Sequence, residues 1–453
     1  MAVVTQIASG AAVADAATVW DTGAVPAIGD TVDATGNFDL TWDDDSNALG
    51  AFYRQGSTGT LTIANGKTLD IDGICALDGP VAGPGTVAVS GDFLKEIGAV
   101  FSADLQLLLD GTGYITDNST ASGGADTEIN TAGTVTQTTD FDTLDYTLTA
   151  GTFDANGYTL NISGNVLYSG GTVTEFNPNL IGTTKTIAWN SYGNPITLLT
   201  IDSGATITTA AAVWTKALAG TGAFTVNNPT YIYQEASGWW NFTGMMTGAG
   251  ALYFNNVDAS PGPVPVDIDV KLYVQSSTNQ SLTMGAGLNI GTRKLHVRGV
   301  GAADTMTLNM GANSLVAGQV ELGNAGAIAD GGILNLGTGA HSIASLATGN
   351  AANTLNAIDF DQSTANCTGA MNLDNIQATG ATPINARIVF GPGGVMSNID
   401  DKGLTNPIAV WGDASVLGAG MTDVQIANYV NAQSYPGSLA MMGIGGGHVA
   451  VSV

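Results

Sequence analysis

Five pairs of aspartates stand two residues apart: Asp43 with Asp45, Asp70 with Asp72, Asp140 with Asp142, Asp267 with Asp269, and Asp359 with Asp361. On a β-strand that spacing sets both carboxylates on one face. Two carboxylates so placed suit an oxygen-liganded Ca²⁺ ion or the acid and base of a glycosidase. None of the pairs carries the full spacing of an EF-hand or of a nonapeptide calcium roll. Solvated strand faces are therefore the plainer expectation, with no metal and no cofactor. Trp42-Asp43-Asp44-Asp45-Ser46-Asn47 is the one cluster dense enough to weigh for a metal.

Other chemistry finds less support. His296, His341 and His448 stand singly, without the paired spacing of a zinc site. The chain has no Gly-x-Ser-x-Gly elbow and no Gly-x-x-x-x-Gly-Lys-Ser/Thr loop. A lyase-type site would need Asp ligands and a base beside the scissile bond. Arg54, Arg293, Arg298 and Arg387 are the guanidiniums on offer, and Arg293, Lys294, His296 and Arg298 form the basic patch. That patch reads as divided over both sides of a strand, with no acidic partner in its own unit. No catalytic residue is expected, and the chain reads as a non-enzyme. Tyr231, Tyr233, Trp239, Trp240 and Phe242 make the densest aromatic group. Exposed on one face, these rings would stack on a glycan; buried, they would fill a widened core or a subunit contact.

Residues of these kinds need a scaffold, and the stretch from Leu282 to Phe360 indicates which. Leu282-Thr283-Met284-Gly285-Ala286 returns as Leu308-Asn309-Met310-Gly311-Ala312 and again as Leu334-Asn335-Leu336-Gly337-Thr338, each copy 26 residues after the last. A fixed period marks a repeat architecture. Each unit alternates apolar and polar residues, as a strand requires, and is too short to bury a core alone, so copies must stack. The expected fold is all-β, a parallel β-solenoid with coils of about 26 residues and a short helical C-terminal cap. Leu282, Met284, Leu308, Met310, Leu334 and Leu336 should point inward as stacked ladders. Upstream, Asn65-Gly66 and Asn156-Gly157 each open an alternating strand, since Asn and Gly tolerate positive φ at a corner.

Composition fits that architecture. The 453 residues include 62 glycines, and charged residues make up only 11%, so small polar side chains must form much of the surface. A net charge of −27 repels phosphate backbones and anionic lipid, so nucleic acid is not an expected partner. No run approaches the ~20 apolar residues of a membrane-spanning helix, and a soluble chain without membrane insertion is expected. Cys75 and Cys367 lie 292 residues apart, too many coils for a bridge within one solenoid. The opening Met1-Ala2-Val3-Val4-Thr5-Gln6 lacks a basic then apolar signal pattern, which points to assembly in a cytoplasm.

Along the chain, residues 1–45 read as an N-terminal attachment module, 46–260 as irregular coils, 261–397 as regular coils, and 398–453 as a cap or docking segment. The Ser260 to Pro265 proline cluster marks the break between the two sets of coils. Met421 to Gln433, opened by the capping box Thr422-Asp423-Val424-Gln425, is the best helix, and Leu94 to Leu109 a weaker one.

The order Trp20-Asp21-Thr22-Gly23-Ala24-Val25-Pro26-Ala27-Ile28-Gly29-Asp30-Thr31-Val32 resembles the opening phrase of bacterial and phage β-helix proteins. The "GYTL" and "TLTI" phrases downstream are similar to autotransporter-associated strand repeats and to pectin-lyase-like β-helices of phage virion proteins. The resemblance implies a fibre, spike or decoration protein of a phage particle, assembled in the host cytoplasm and localised to the virion. Its partners would be other virion proteins, further copies of itself, with a trimer favoured, and a host surface glycan. A bacterial cell-surface adhesin and a carbohydrate-degrading tailspike are the alternatives.

Overall fold

The computed structural model describes residues 2–12, 15–44, 48–119, 124–233, 237–301, 304–323, 331–337 and 339–348, with the backbone of short strands between 357 and 411. Two compact units divide the chain, residues 1–214 and 215–453. The proline cluster at Ser260 to Pro265 falls inside the second.

In the first unit each turn of chain lays down up to three short strands. Thr86–Val89, Phe93–Lys95 and Val100–Phe101 form one such turn. Each strand pairs in parallel with its counterparts one turn before and one turn after: Val87 lies between Leu69 and Leu107, and Phe93 between Cys75 and Ile115. This is a parallel β-solenoid, and its side-chain logic is the simple alternation of a strand. Leu105, Leu107 and Leu109 are buried while Gln106 is exposed, so a period of two operates where a helix was expected over Leu94 to Leu109. Leu107 and Leu109 line the inner face of one rung, between Val87 and Val89 of the coil before and Thr127 and Ile129 of the coil after.

Glycine acts where coils touch at a corner. Gly50, Gly73, Gly91 and Gly113 stack on successive turns, and a β-carbon on any of the last three would collide with the carbonyl oxygen of the glycine before it. At the second type of corner, Asn156 and Gly157 both take positive φ, 50° and 81°, as the Asn-Gly pair implied, whereas at Asn65-Gly66 only the glycine does, at 70°.

The ladder begins at once. Val3–Thr5 pairs with Thr31–Asp33, which pairs with Ala51–Arg54, so the Trp20 to Val32 phrase lies within the first turn of residues 1–45. The open side of that first strand is closed by the chain itself. After the helix Ala16–Val19, Val19 to Asp21 run back antiparallel along it: Ile7 N donates to Val19 O (2.7 Å), Asp21 N to Thr5 O (3.0 Å), and Thr5 N to the Asp21 carboxylate (3.0 Å). Trp20, fully buried, donates its indole N–H to Ala12 O and covers the end of the core. A cap of this kind removes the exposed core and strand edge that a terminal coil otherwise presents. The helical cap expected at Met421 to Gln433 lies outside the described residues.

In the second unit Leu282, Leu308 and Leu334 stand opposite one another on consecutive strands, Gln280–Thr283, Thr305–Asn309 and Gly331–Asn335. All three, with Met284, Met310 and Leu336, are buried as the repeat implied. On the outer side Asn335 donates to Asn309 and Asn309 to Ser281, each at 2.6 Å, an amide ladder that ties the same rungs together. The 26-residue coil is local to this region. Across the chain the turns average about 21 residues, and the step from Leu69 to Val87 is 18. Strand positions set the cross-section; the corner loops absorb the remaining residues, so coil length varies without disturbing the ladder.

Candidate functional site

Three of the paired aspartates serve the ladder. Asp140 accepts the Thr159 amide, Asp142 the Asn161 side chain, and Asp267 the Asn289 side chain, each from the next coil. Asp70 is half-buried, and its carboxyl is pushed up by burial and by the neighbouring Asp110 and Asp72. Among the described residues no group of three His, Cys, Asp or Glu is placed to hold a metal. Asp45, Ser46 and Asn47 of the dense cluster, and Asp361, lie outside the described residues. Cys75 is a buried free thiol whose pKa burial pushes up, so it is a packed small side chain.

The aromatic group divides. Trp239, Trp240 and Phe242 are buried, packed edge-on against one another and Phe254. The Trp239 indole donates to Ala259 O (2.9 Å) and the Trp240 indole to Pro265 O (3.3 Å). The segment ending in the proline cluster thus supplies carbonyls that let two tryptophans enter the core satisfied. These three rings cannot form a contact surface. Tyr231 and Tyr233 remain half-exposed.

Tyr231 opens a surface ladder that its own sequence neighbourhood does not reveal. On the strands Thr230–Ile232, Met246–Asn255, Asp269–Ser276 and Lys294–Gly299, residues Tyr231, Tyr253, Tyr273 and His296 occupy one register position. Their inward neighbours Ile232, Leu252, Phe254, Leu272, Val274, Leu295 and Val297 are core, so alternation turns the rings outward. Tyr231 and Tyr253 stack with centroids 4.6 Å apart at 24°, Tyr253 and Tyr273 at 4.6 Å and 13°. The His296 ring follows at 5.2 Å. Stacked rings occupy each other's faces and leave a row of phenol edges toward solvent. Burial raises the Tyr231 and Tyr253 pKa values.

Beside the rings runs a polar row. Gln275 donates to Asn255 (3.0 Å) and accepts from Arg298 through Nε (3.1 Å) and Nη2 (2.9 Å), while the Arg298 guanidinium lies 5.1 Å from the centre of the Tyr273 ring. This is a cation held over an aromatic face. The basic patch has no acidic partner in its own unit, as expected, but it has partners in the adjacent coils. Arg293 bonds Asp269 of the coil before through Nε (2.6 Å) and Nη2 (3.3 Å), and Lys294 pairs with Glu321 of the coil after. Three of the patch's four members share one face, and Arg293 precedes the strand. Lys294, His296 and Arg298 stand at alternate positions of one strand and share the face that carries Tyr273. The Arg293 hydrogen bond lowers the Asp269 pKa. Lys294 is lowered by burial and then by Lys271 and Arg298. His296 is pushed down to about 4, chiefly by burial, and its ring nitrogen meets the Gly323 carbonyl.

Such a face can bind, through hydroxyls, amides and cations. Compared with known proteins, the chain matches no family model, no curated protein and no solved structure.

Proposed function

We propose that this chain is a non-enzymatic structural component of a phage particle, a fibre, spike or decoration protein that braces or projects from the virion. The observation that supports the reading is the solenoid itself, a parallel ladder whose first coil is closed by Trp20 and the Val19 to Asp21 return. A ladder of this kind spends its polar side chains on joining one coil to the next, as Asp140, Asn161 and Asn309 do. It works with other virion proteins and as a homo-oligomer, a trimer being favoured. Light scattering on the purified chain, followed by imaging of the native particle, tests this. A defined oligomer located on the virion is the expected result. A stable monomer at micromolar concentration with no place on the particle would overturn it, and new reducing ends released from host capsule would move the chain to the enzymes.

A further inference from the structure

We propose that the face bearing Tyr253, Tyr273, Lys271 and Arg298 binds an acidic glycan, a carboxylate-bearing polysaccharide lying along the ladder. The inference rests on the reading of the chain as a projecting, non-enzymatic solenoid and names what one side of it meets.

Charge is what singles this face out. The whole chain has 11 Lys and Arg against 38 Asp and Glu, yet Lys271, Arg293, Lys294 and Arg298 all fall within 28 residues, on two adjacent strands or, for Arg293, just ahead of the second. Arg293 and Lys294 have carboxylate partners in Asp269 and Glu321. Among the described residues Lys271 and Arg298 have none. Lys271 is exposed, and Arg298 spends Nε and Nη2 on Gln275, which leaves Nη1 unpartnered at the half-exposed edge of the Tyr273 ring. Lys271 and Arg298 crowd Lys294 enough to lower its pKa beyond what burial does. Carboxylates placed beside these cations relieve that repulsion, and a carboxylate matches the guanidinium edge.

The rest of the surface suits a sugar. The Tyr253 and Tyr273 hydroxyls have no protein partner among the described residues, and the Asn255–Gln275 amide pair runs alongside. The tyrosine hydroxyls on successive coils, with the half-exposed Asn255 beside them, can exchange hydrogen bonds with an extended hydroxylated polymer parallel to the ladder. A second copy of this chain fits less well. It would bring its own −27 charge within a Debye length of about 8 Å across a broad contact, whereas a thin polymer meets only this face.

The test is affinity electrophoresis of the full chain in gels containing polygalacturonate, with neutral dextran as the comparison. Variants are Lys271→Gln with Arg298→Gln, both side chains lying outside the core, and Lys185→Gln as a control elsewhere. Retardation by polygalacturonate alone is expected, weakened about tenfold or more by the double variant and falling as salt rises from about 50 to 300 mM. No retardation, equal retardation by dextran, or a double variant that behaves as the wild type would each overturn the proposal. Sedimentation equilibrium on the same proteins separates the other occupant. If the double variant turns an oligomer into a monomer while polygalacturonate binds neither form, the face is a subunit contact and the glycan assignment fails. Loss of glycan binding with the oligomer intact leaves the virion reading standing.

Discussion

Replacing Leu308 by alanine should destabilise the second unit by about 2 to 5 kcal/mol, because the side chain is fully buried between Leu282 and Leu334 and the neighbouring rungs cannot close over the space. Its neighbour Asn309 faces outward and joins the amide ladder to Ser281 and Asn335. Asn309→Ala removes those half-exposed bonds and should cost about 1 kcal/mol, since each net hydrogen bond contributes about that much or less. The contrast is diagnostic, as a register slip of one residue would exchange the two faces and reverse the order. Native-state hydrogen exchange on the strands Gln280–Thr283, Thr305–Asn309 and Gly331–Asn335 reads the loss where it occurs, because each coil contacts only its neighbours. A urea midpoint on the whole chain supplements it. Asn309→Ala proving costlier than Leu308→Ala would refute the register.

Three further outcomes follow from the same packing. Trp20→Ala combined with Asp21→Ala removes the indole cover and the carboxylate on the Thr5 amide, so the strand Val3–Thr5 should become available for pairing. Concentration-dependent mass by light scattering is expected for that variant, and an unchanged mass would mean that the return segment does not guard the edge. Lys95 is fully buried and bonds Asp117 at 2.9 Å, so Asp117→Ala should cost about 3 to 5 kcal/mol by removing the carboxylate that balances a buried cation, while Lys95→Met with Asp117→Leu should cost far less, both read by urea denaturation. His296 and His341 are both held down to about 4, chiefly by burial. A base depressed in the folded state contributes stability above its unfolded value near ~6.5 that is lost as pH falls, because the unfolded chain takes up protons first. The urea midpoint should therefore fall between about pH 6.5 and 4, and His296→Gln with His341→Gln should flatten that slope. Asp70 and Asp126, raised by burial, act in the opposite sense and remain in that variant.

The pH dependence and the edge test bear on different parts of the molecule. His341 accepts the Leu315 amide through Nδ1 (3.1 Å), so protonating that nitrogen breaks a bond deep in the second unit. The Trp20 cap lies at the first coil. A change seen in one should leave the other untouched, as expected where each coil couples only to its neighbours.

What the sequence determined by itself was the local grammar. Alternation and the thrice-repeated phrase at Leu282, Leu308 and Leu334 were enough to establish stacked parallel strands with these leucines inside, because a strand's two-residue period assigns faces without any knowledge of its partners. The Asn156-Gly157 corner was legible for a similar reason, since positive φ is a property of those two residues. The tyrosine and cation face was settled only by the tertiary structure. Tyr231, Tyr253, Tyr273 and His296 stand at unequal intervals, 22, 20 and 23 residues, because corner loops differ in length while strand positions do not. The acidic partners of Arg293 and Lys294 were likewise out of sight, coming from the coils before and after. Whether Trp239, Trp240 and Phe242 were buried or exposed was left open, because sequence shows clustering but not depth. Only the fold brought carbonyls from Ala259 and Pro265 to their indoles and so made burial affordable.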